Sequence, residues 1–570
     1  MSKFLRKYQD FSGGLSEVAN DNMQDNELVE AVNIVPGDGY GIARCKGTSI
    51  AFPQVLAGYK VKRVLEVPVK ITQDNATTVK ETQTLAFVYA DYQEERVFKL
   101  SSDKNSWTEI TYATEAKASD NSIWAVTSCF IYSYKLYCTN GKGMWIWDGS
   151  TMTMASVAST DGSSPTGWEN FSDRVKASVF ACRRGTRWFY ATLDNEVIFS
   201  EVGNPLTFNK SMTSILNVYT DNDDSITALH NFNENLLIFK KHTVHCLSGW
   251  DLAGGTDIKL TQLNVTSGTN FAQTICTIEN AILYLGSNGV YKLYVPYLSS
   301  LIAAKNVSEK QISKRLTEGK LLCARATVYN NIYYLSIDKE VKNQTVNQEY
   351  RYYMEQKAYY GEYTQGVYGY APALGDGDHL YIGSDNGYIL YYDDSSDHYI
   401  NTNDGQNMPI SIRAKTKGFD VVGNTFQDAK VKKALFSVKQ YTTKSTELYI
   451  QIKADYAEDA LKTQVDSIQD VIESAVPDYE ISFDDSLVYD EGQWAGVDSN
   501  GKKVAFDWGW IDTVTKQTTV GRKCKRLQFT FRGEKAQPLL IYGIGLLYKR
   551  KKVKGNTRNV RTAEIVYPDE

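Results

Sequence analysis

The sequence has few of the residues on which enzymes and metal proteins usually depend. It holds only five histidines in 570 residues, and its eight cysteines form no Cys-x-x-Cys pair. His242 and His245 are three residues apart in an expected strand, which places their rings on opposite faces and excludes a shared metal. No P-loop, Rossmann glycine set, Gly-x-Ser-x-Gly elbow or His-Glu-x-x-His helix is present. We therefore predict no enzymatic activity, no cofactor and no metal.

Other absences concern partners and location. The net charge of -5 lacks the basic excess of a general nucleic-acid-binding surface, although a channel through which DNA slides would not need one. No apolar run reaches about 18 residues, and the first residues contain no apolar signal region, so we predict neither a membrane span nor a secretory signal. The cysteines lie mostly in apolar, strand-like runs, which is typical of free buried thiols. We expect a protein made in a reducing cytoplasm.

The composition of the chain is rich in residues that favour strands and tight turns. It has 39 tyrosines and 40 glycines but only 11 prolines, and aromatic side chains pack well on a pleated sheet. Two similar stretches, "ILYLGSNGVYKLYVP" from Ile282 and "LYIGSDNGYILYYDD" from Leu380, each place an Asn-Gly turn between two apolar strands. Asn-Gly favours the turns of tight hairpins, because both central residues need positive φ. Both stretches are predicted hairpins.

Looser copies of this pattern recur along the chain. The first strands of the copies are anchored on Phe87, Tyr137, Phe189, Leu237, Tyr284, Tyr333 and Tyr381, which are 47 to 52 residues apart. A propeller blade of four strands has this length. The spacing predicts an all-β chain in which residues 58–400 form a β-propeller of about seven blades. Consecutive β-sandwiches are the alternative.

Beyond residue 400 the pattern changes to clean alternation of apolar and polar residues, which marks half-buried antiparallel strands. We predict a β-sandwich-like domain over residues 401–552 with one inserted helix near 457–475. The helix is predicted from a single apolar stripe at three- and four-residue spacing, formed by Leu461, Val465, Ile468 and Val471 or Ile472. We expect this stripe to pack on its own sheet, with a helix of a neighbouring subunit as the alternative.

The most basic run is "YKRKKVKGNTRNVR", which contains Lys551 and Lys552 and leads into a predicted C-terminal tail over residues 553–570. A solvated strand end is the simplest interpretation of this run. Contact with an acidic neighbouring subunit or with DNA phosphates is the alternative, and it makes Lys551 and Lys552 candidate partner-binding residues.

The opening segment, residues 1–57, is predicted to be an N-terminal arm followed by the first strands. It starts with Phe11, Gly13, Gly14 and Leu15 and continues into "DNELVEAVNI" and "ARCKGTS". We expect "DNELVEAV" to be a short helix with Leu28 on its apolar face. The order of these elements resembles the N-terminus of bacteriophage tail-tube nozzle and tail-tubular proteins, also called DNA-stabilisation proteins, in which such an opening precedes a β-propeller.

The resemblance implies a virion structural protein. Members of that family form homo-oligomeric rings, here expected to hold about six subunits, below the portal and adaptor proteins. DNA passes through the lumen without sequence-specific binding, and the ring helps to retain and eject the genome. Phe11, Gly13, Gly14, Leu15 and Leu28 would then contact a neighbouring subunit or the adaptor. On this interpretation, deleting residues 1–22 should leave the thermal stability of the isolated chain nearly unchanged.

Two other classes stay open. A distal receptor- or glycan-binding tail protein would also be rich in β-propeller strands and tyrosine, because aromatic rings offer stacking faces to sugars. A cytosolic scaffold propeller is less favoured, since no Trp-Asp or Gly-Gly signature recurs in each unit of the repeat.

Overall fold

The computed structural model describes the chain in stretches separated by gaps. The described residues are 3–73, 77–90, 94–113, 123–159, 171–208, 215–218, 224–249, 258–297, 301–371, 379–423, 428–440, 447–455, 462–467, 488–490, 493–497, 503–506, 514–536 and 539–550. Regular structure in these stretches is almost entirely strand, which confirms the predicted all-β class. Two short helices, α1 (Phe171–Lys176) and α2 (Ser313–Thr317), are accompanied by single 3-10 turns. None of the described helices is long and apolar enough to cross a membrane.

The opening segment forms six short strands. They are β1 (Phe4–Tyr8), β2 (Gly14–Leu15), β3 (Glu27–Val32), β4 (Ile34–Pro36), β5 (Ile42–Arg44) and β6 (Gly47–Ile50). Single 3-10 turns at Asn20–Asn22 and Asp38–Tyr40 lie between them.

Residues 60–393 form seven antiparallel units, numbered here 1 to 7 in chain order. Unit 1 is β7 (Lys60–Gln73), β8 (Thr77–Tyr89), β9 (Glu94–Leu100) and β10 (Trp107–Glu109), and it is followed by β11 (Thr111–Tyr112) and β12 (Ile123–Trp124). Unit 2 is β13 (Ser128–Tyr132), β14 (Lys135–Thr139), β15 (Met144–Trp147) and β16 (Thr151–Met154), followed by β17 (Ala158–Ser159). Unit 3 is β18 (Phe180–Arg184), β19 (Arg187–Ala191), β20 (Glu196–Phe199) and β22 (Ile215–Asn217), with β21 (Thr207–Phe208) paired to β17.

The remaining units follow the same plan. Unit 4 is β23 (Ile226–Phe232), β24 (Asn235–Lys240), β25 (Val244–Ser248) and β26 (Lys259–Gln262). Unit 5 is β27 (Cys276–Ile278), β28 (Ala281–Leu285), β29 (Val290–Tyr294) and β30 (Ala303–Asn306), and it is preceded by a 3-10 turn at Ala272–Thr274. Unit 6 is β31 (Lys320–Tyr329), β32 (Ile332–Val341), β33 (Gln344–Tyr353) and β34 (Ala358–Tyr363). Unit 7 is β35 (Gly369–Ala371), β36 (Tyr381–Gly383) and β37 (Ile389–Asp393), with β6 as its fourth strand.

The sequence repeat corresponds to this recurring unit. All seven anchor residues lie in the second strand of a unit, in the order Phe87, Tyr137, Phe189, Leu237, Tyr284, Tyr333 and Tyr381. The two predicted Asn-Gly hairpins are confirmed as β28–β29 and β36–β37. The regular spacing therefore comes from one structural element that is repeated along the chain.

The units follow one another in a cyclic order. The first strand of each unit contacts a first or second strand of the next unit, except that the first strand of unit 4 contacts the 3-10 turn before unit 5. Unit 7 returns to unit 1, because β35 pairs in parallel with β7 through Tyr370 and Arg63. A buried apolar cluster also lies between each unit and the next, including units 7 and 1. The predicted seven-bladed propeller itself stays a prediction.

The C-terminal strands are short hairpin strands and long sheet strands. They are β38 (His398–Ile400), β39 (Asn407–Pro409), β40 (Ile412–Thr416), β41 (Phe419–Asp420), β42 (Ala429–Gln440), β43 (Glu447–Ala454), β44 (Lys462–Ser467), β45 (Val488–Asp490), β46 (Gln493–Val497), β47 (Lys503–Phe506), β48 (Val514–Thr519), β49 (Lys523–Cys524), β50 (Arg526–Gly533) and β51 (Leu539–Arg550). Strands β38 and β39 pair with each other, and β45, β46 and β47 form a small sheet.

Two seven-stranded sheets combine C-terminal strands with the opening segment. One has the order β4-β5-β51-β42-β48, with β1 on β51 and β49 on β42. The other has the order β2-β3-β40-β50-β43-β44, with β41 on β50. Phe436 of the first sheet meets Phe529 and Phe531 of the second at ring-centroid distances of 5.7 and 5.8 Å. These aromatic contacts hold the two sheets face to face around a shared apolar core.

The predicted helix over "DNELVEAV" is wrong. Glu27–Val32 is strand β3, which pairs with β40 and places Ala31 opposite Ala414. A helix of this length is marginal on its own, because nucleating it costs more than a few hydrogen bonds return. Pairing on both sides, with β2 and with β40, satisfies the same backbone groups inside a sheet.

The predicted helix near 457–475 is wrong where the structure describes it. Residues 462–467 are strand β44, paired with β43 from Lys462 opposite Ile452 to Ser467 opposite Glu447. The rest of the predicted helix lies outside the described residues. Thr463 and Val465 are β-branched and suit a strand, and the edge of β43 supplies the hydrogen-bond partners that a helix would have found internally.

Candidate functional site

Residues in or next to the first strands of the units line a cavity of about 300 Å³, called here the central cavity. Every unit contributes to its wall, unit 5 through the 3-10 turn that precedes its first strand. The lining residues are Lys62, Arg63, Leu65, Thr127, Ser128, Cys129, Phe180, Ala228, Leu229, Ala272, Gln273, Arg325, Ala326 and Tyr370. The cavity therefore gathers three cations and one thiol from sequence positions that are far apart.

Two of the three cations are paired with buried carboxylates. Lys62 forms an ion pair with Glu95 of β9 and donates to the carbonyl oxygen of Val126 at 2.7 Å. Arg325 donates to Asp338 of β32 at 2.5 Å and to the carbonyl oxygen of Val367. Burial lowers the pKa of Lys62, while Glu95 acts in the opposite direction. The first pair links β7 to β9 across β8, the second links the adjacent strands β31 and β32, and together they neutralise most of the charge in the wall.

The third cation, Arg63, has a different partner. Its Nη1 lies 3.0 Å from the sulfur of Cys129 in unit 2, and its Nη2 donates to the carbonyl oxygen of Val126 at 3.1 Å. Among the described residues it makes no ion pair with a carboxylate. Lys62, Arg63 and Glu95 together carry one excess positive charge, which an ionised thiol at Cys129 would balance.

Cys129 also has a second thiol beside it. Cys129 of β13 lies directly opposite Cys138 of β14, with the two sulfurs 3.9 Å apart. The hydrogen bond from Cys138 lowers the pKa of the Cys129 thiol from 9.0 to about 7, and the charge of Arg63 acts in the same direction against burial. The same contact and burial raise the pKa of Cys138. All eight cysteines are free thiols, as predicted, and four of them are buried.

Sequence reasoning missed this group, although part of the signal was present. Cys129 and Cys138 flank the stretch "FIYSYKLY", in which Ser133 and Tyr134 form a two-residue turn with φ of 50° and 62°. A two-residue hairpin turn sets the register, and this register brings the two cysteines opposite each other. The position of Arg63 depends on how units 1 and 2 pack together, and nothing in the local sequence indicates it.

The predicted partner-binding residues of the opening segment lie inside the chain's own core. Phe11 and Leu28 are completely buried and Leu15 is 1% exposed, in the apolar cluster that joins the opening segment to units 5 and 6 and to the C-terminal sheets. Tyr360 of β34 donates to the carbonyl oxygen of Phe11 at 2.8 Å. The predicted docking role of these three side chains is therefore replaced by a structural one, because the folded chain does not expose them.

The two glycines of the opening segment also serve internal packing. Gly14 has φ of +64°, and a Cβ there would lie 2.4 Å from the carbonyl oxygen of Tyr359. A Cβ on Gly13 would meet the side chain of Asn26 at 2.8 Å. Gly14 therefore makes its close approach to β34 of the same chain, whereas the resemblance implied contact with a neighbouring subunit or the adaptor. Lys551 and Lys552 lie outside the described residues.

The described residues offer little other chemistry. They contain no group of three or more His, Cys, Asp and Glu side chains that could hold a metal ion. The Asp103 turn before Trp107 is held by hydrogen bonds from Ser101 and from the backbone and side chain of Asn105, with Ser101 bonded in turn to the Ser106 backbone. These hydrogen bonds account for Asp103 as a turn-forming residue.

No known protein family matches the sequence, and no curated protein matches it either. Among solved structures the chain is similar to the computationally designed Ika8 protein, with 12% identity, a TM-score of 0.28 and coverage of 59% of this chain and 100% of that one. It is similar to the extracellular domain of a hybrid two-component system of B. thetaiotaomicron, with 7% identity, a TM-score of 0.40 and coverage of 85% and 62%. PorZ, a surface component of the type-IX secretion system of Porphyromonas gingivalis, matches with 14% identity, a TM-score of 0.33 and coverage of 67% and 44%. Similarities this low carry no conclusion about function.

Proposed function

We propose that the seven units are the blades of one β-propeller and that the two C-terminal seven-stranded sheets form a β-sandwich fixed to it. Three observations support this arrangement. The units contact in cyclic order, their first strands line one central cavity, and β6 completes unit 7 with Leu390 opposite Ile50. Closing the last blade with a strand from the start of the chain joins the ends of the ring and protects what would otherwise be a sheet edge.

We propose further that the chain is a virion structural protein, a subunit of a bacteriophage tail nozzle ring that continues the DNA channel below the portal and adaptor. The supporting observation is what the residues that carry the resemblance do in the folded chain: their side chains bind segments that are distant in the sequence. Arg44 donates to the carbonyl oxygens of Ser396, Asp397 and Ala536 at 3.0 to 3.2 Å. Asn33 donates to Thr364 and to the carbonyl oxygen of Ser411.

These contacts give the opening motif a mechanical role that suits a ring subunit. Asn33 and Arg44 bind segments that lead out of units 6 and 7 and into the C-terminal sheets, and a Cβ on Gly47 would lie 2.4 Å from the carbonyl oxygen of His398. The motif therefore fixes the propeller-type units to the C-terminal sheets. A joint of this kind would transmit force between the two parts of the subunit when DNA under pressure enters the ring.

The DNA channel of this proposal lies between subunits. A sphere of about 300 Å³ is roughly 8 Å across, whereas the major groove of B-DNA alone is about 12 Å wide. The central cavity of one chain is therefore too small for a duplex. The lumen must be formed by several copies, with the protein made in the host cytoplasm and incorporated into the virion.

Electron microscopy of the purified full-length chain, alone and mixed with a portal–adaptor complex, tests this proposal. We expect closed rings of about six subunits that stack coaxially on the adaptor. A chain that stays monomeric and does not bind the adaptor would contradict the nozzle assignment. Particles assembled without the chain should lose packaged DNA, and particles that retain it normally would count against the same assignment.

A distal receptor- or glycan-binding tail protein remains the second candidate because of one partly exposed aromatic group. His379, Tyr381 and Tyr391 are half-buried, with ring centroids 4.7 Å apart for His379 and Tyr391 and 5.8 Å apart for the two tyrosines. Such rings offer a stacking face to a sugar. Binding to host-surface polysaccharide that Tyr391→Ala abolishes, together with trimers in place of rings, would favour this candidate. In either case we propose that the chain hydrolyses no glycoside, phosphate ester or nucleotide.

A further inference from the structure

We propose that Cys129 is a peroxide-reactive thiol in the central cavity and that Cys138 resolves it to a cross-strand disulfide. This inference does not depend on the virion assignment. It rests on three contacts in the described residues: the guanidinium of Arg63 at 3.0 Å, the second thiol at 3.9 Å and the position of Cys129 in the cavity wall.

The charges around Cys129 favour its thiolate. The groups that face it are Arg63 and Lys62 of β7, Glu95 of β9 and Cys138 of β14. Because Glu95 is paired with Lys62, its charge is already balanced, and the positive charge of Arg63 stabilises a negative charge on the sulfur of Cys129. The thiolate is the form of cysteine that reacts with peroxides, and a neighbouring arginine stabilises it. The lowered pKa of Cys129 agrees with this geometry.

The position of Cys138 allows the second step. Residues directly opposite in an antiparallel pair have Cα atoms about 4.5 or 5.5 Å apart, and both values lie within the range of roughly 4.4 to 6.8 Å found for disulfides. The two sulfurs already touch at 3.9 Å. Side-chain rotation within the β13–β14 hairpin can therefore close the bond without moving another unit.

The chemistry balances with a peroxide as the oxidant. The Cys129 thiolate attacks one oxygen of hydrogen peroxide, the O–O bond breaks, and Cys129 becomes a sulfenic acid while hydroxide leaves and is protonated to water. The Cys138 sulfur then attacks the sulfenic sulfur, giving the Cys129–Cys138 disulfide and a second water. Two thiols are oxidised and one peroxide is reduced to two waters.

Two other cysteines of the chain are matched controls. Cys182 of β18 and Cys276 of β27 also lie in the first strands of units and are partly exposed. Burial raises the pKa of each to about 12. At pH 7 a thiol of pKa about 7 is about 50-fold more ionised than one of pKa 9. Its thiolate is less basic and therefore up to roughly tenfold less nucleophilic, which leaves a net advantage of about fivefold. We therefore expect Cys129 to be alkylated at least about fivefold faster than either control.

The experiment uses the full-length chain, hydrogen peroxide as the probe and peptide mass mapping without reductant. Cleavage after Lys135 separates the two cysteines, so the disulfide appears as a joined pair of peptides that has lost two hydrogens. Cys138→Ser should stop the reaction at a sulfenic acid that dimedone traps on Cys129. Arg63→Gln should slow alkylation of Cys129, whereas Arg63→Lys should retain most of it.

Three results would overturn the proposal. The first is alkylation of Cys129 no faster than that of Cys182 and Cys276 in the unmodified chain. The second is peroxide treatment that leaves both thiols reduced, and the third is oxidation of Cys129 to higher acids with no joined peptide. The first two measurements need no variant, so they decide the matter even if the Arg63 variants fail to fold.

Discussion

Replacing Phe11 by alanine tests whether the opening segment belongs to the core of its own chain. Phe11 is completely buried in the cluster that contains the opening segment, units 5 and 6 and the C-terminal sheets. Removing a buried phenylalanine ring costs about 3–5 kcal/mol, because apolar transfer energy is lost and a cavity remains. We expect Phe11→Ala to lower the free energy of unfolding by this amount, measured by urea titration with far-ultraviolet circular dichroism.

The same segment supplies the control. Leu5 lies in β1 and is 50% exposed, so Leu5→Ala should change the free energy of unfolding by no more than about 0.5 kcal/mol. Deleting residues 1–22 should be more damaging than Phe11→Ala, since it also removes β1 from β51 and Leu15 from the core. If Phe11→Ala shifts the urea midpoint no further than Leu5→Ala, the opening segment is not part of the core. The result would then favour the interpretation that Phe11 contacts a neighbouring subunit or the adaptor.

Three further outcomes follow from single positions. Gly14→Ala should destabilise the fold by more than Gly203→Ala: both have positive φ, but only at Gly14 would the new Cβ meet a backbone oxygen, and equal urea midpoints would contradict this. Burial lowers the pKa of His230 from 6.5 to about 4, so the unfolded chain takes up a proton first and stability should fall as the pH drops from 6.5 to 4. That loss is at most about 3 kcal/mol, because His230 is only half-buried, and a pH series in which His230→Gln keeps the full slope would exclude this residue as its source. Arg351→Met should lower the free energy of unfolding by about 3–5 kcal/mol, because it leaves the buried carboxylate of Glu349 without its cation. In a double-mutant cycle, adding Glu349→Leu should restore part of this free energy.

Hairpins and their repeat could be predicted because their signals are local. The Asn-Gly pairs after Leu285 and Gly383 mark the two hairpin loops correctly, although Asn288 and Asn386 do not adopt the positive φ of a two-residue turn. The aromatic second strands recur with little change in spacing. The sequence therefore predicted the all-β class and the second strand of every unit. It did so without any knowledge of which units contact each other.

The errors arose where distant partners decide the structure. Leu28 has helical spacing from Val32, but β40 lies almost 400 residues away in the sequence and supplies the hydrogen bonds that make this stretch a strand. At Val465 the partner is near instead of distant: Val465 lies opposite Tyr449 of β43, the preceding strand, and the apolar spacing that suggested a helix gave no sign of this pairing. The resemblance implied that Phe11 contacts a neighbouring subunit or the adaptor, yet its pocket is built by units 5 and 6 and the C-terminal sheets of its own chain.

Strand β1 cannot pair with β51 until almost the whole chain has been synthesised. Phe4 pairs with Tyr548, so the ribosome adds 544 residues between the two partners. At about 5–20 residues per second this takes roughly 30–110 s. For the larger part of that interval, until β34 and β37 have been made, Phe11, Leu15 and the edge of β6 lack the partners that cover them. A nascent chain of this design has exposed apolar surface near its start for most of its translation, and it should therefore engage a chaperone such as a ribosome-bound holdase until the last strand emerges.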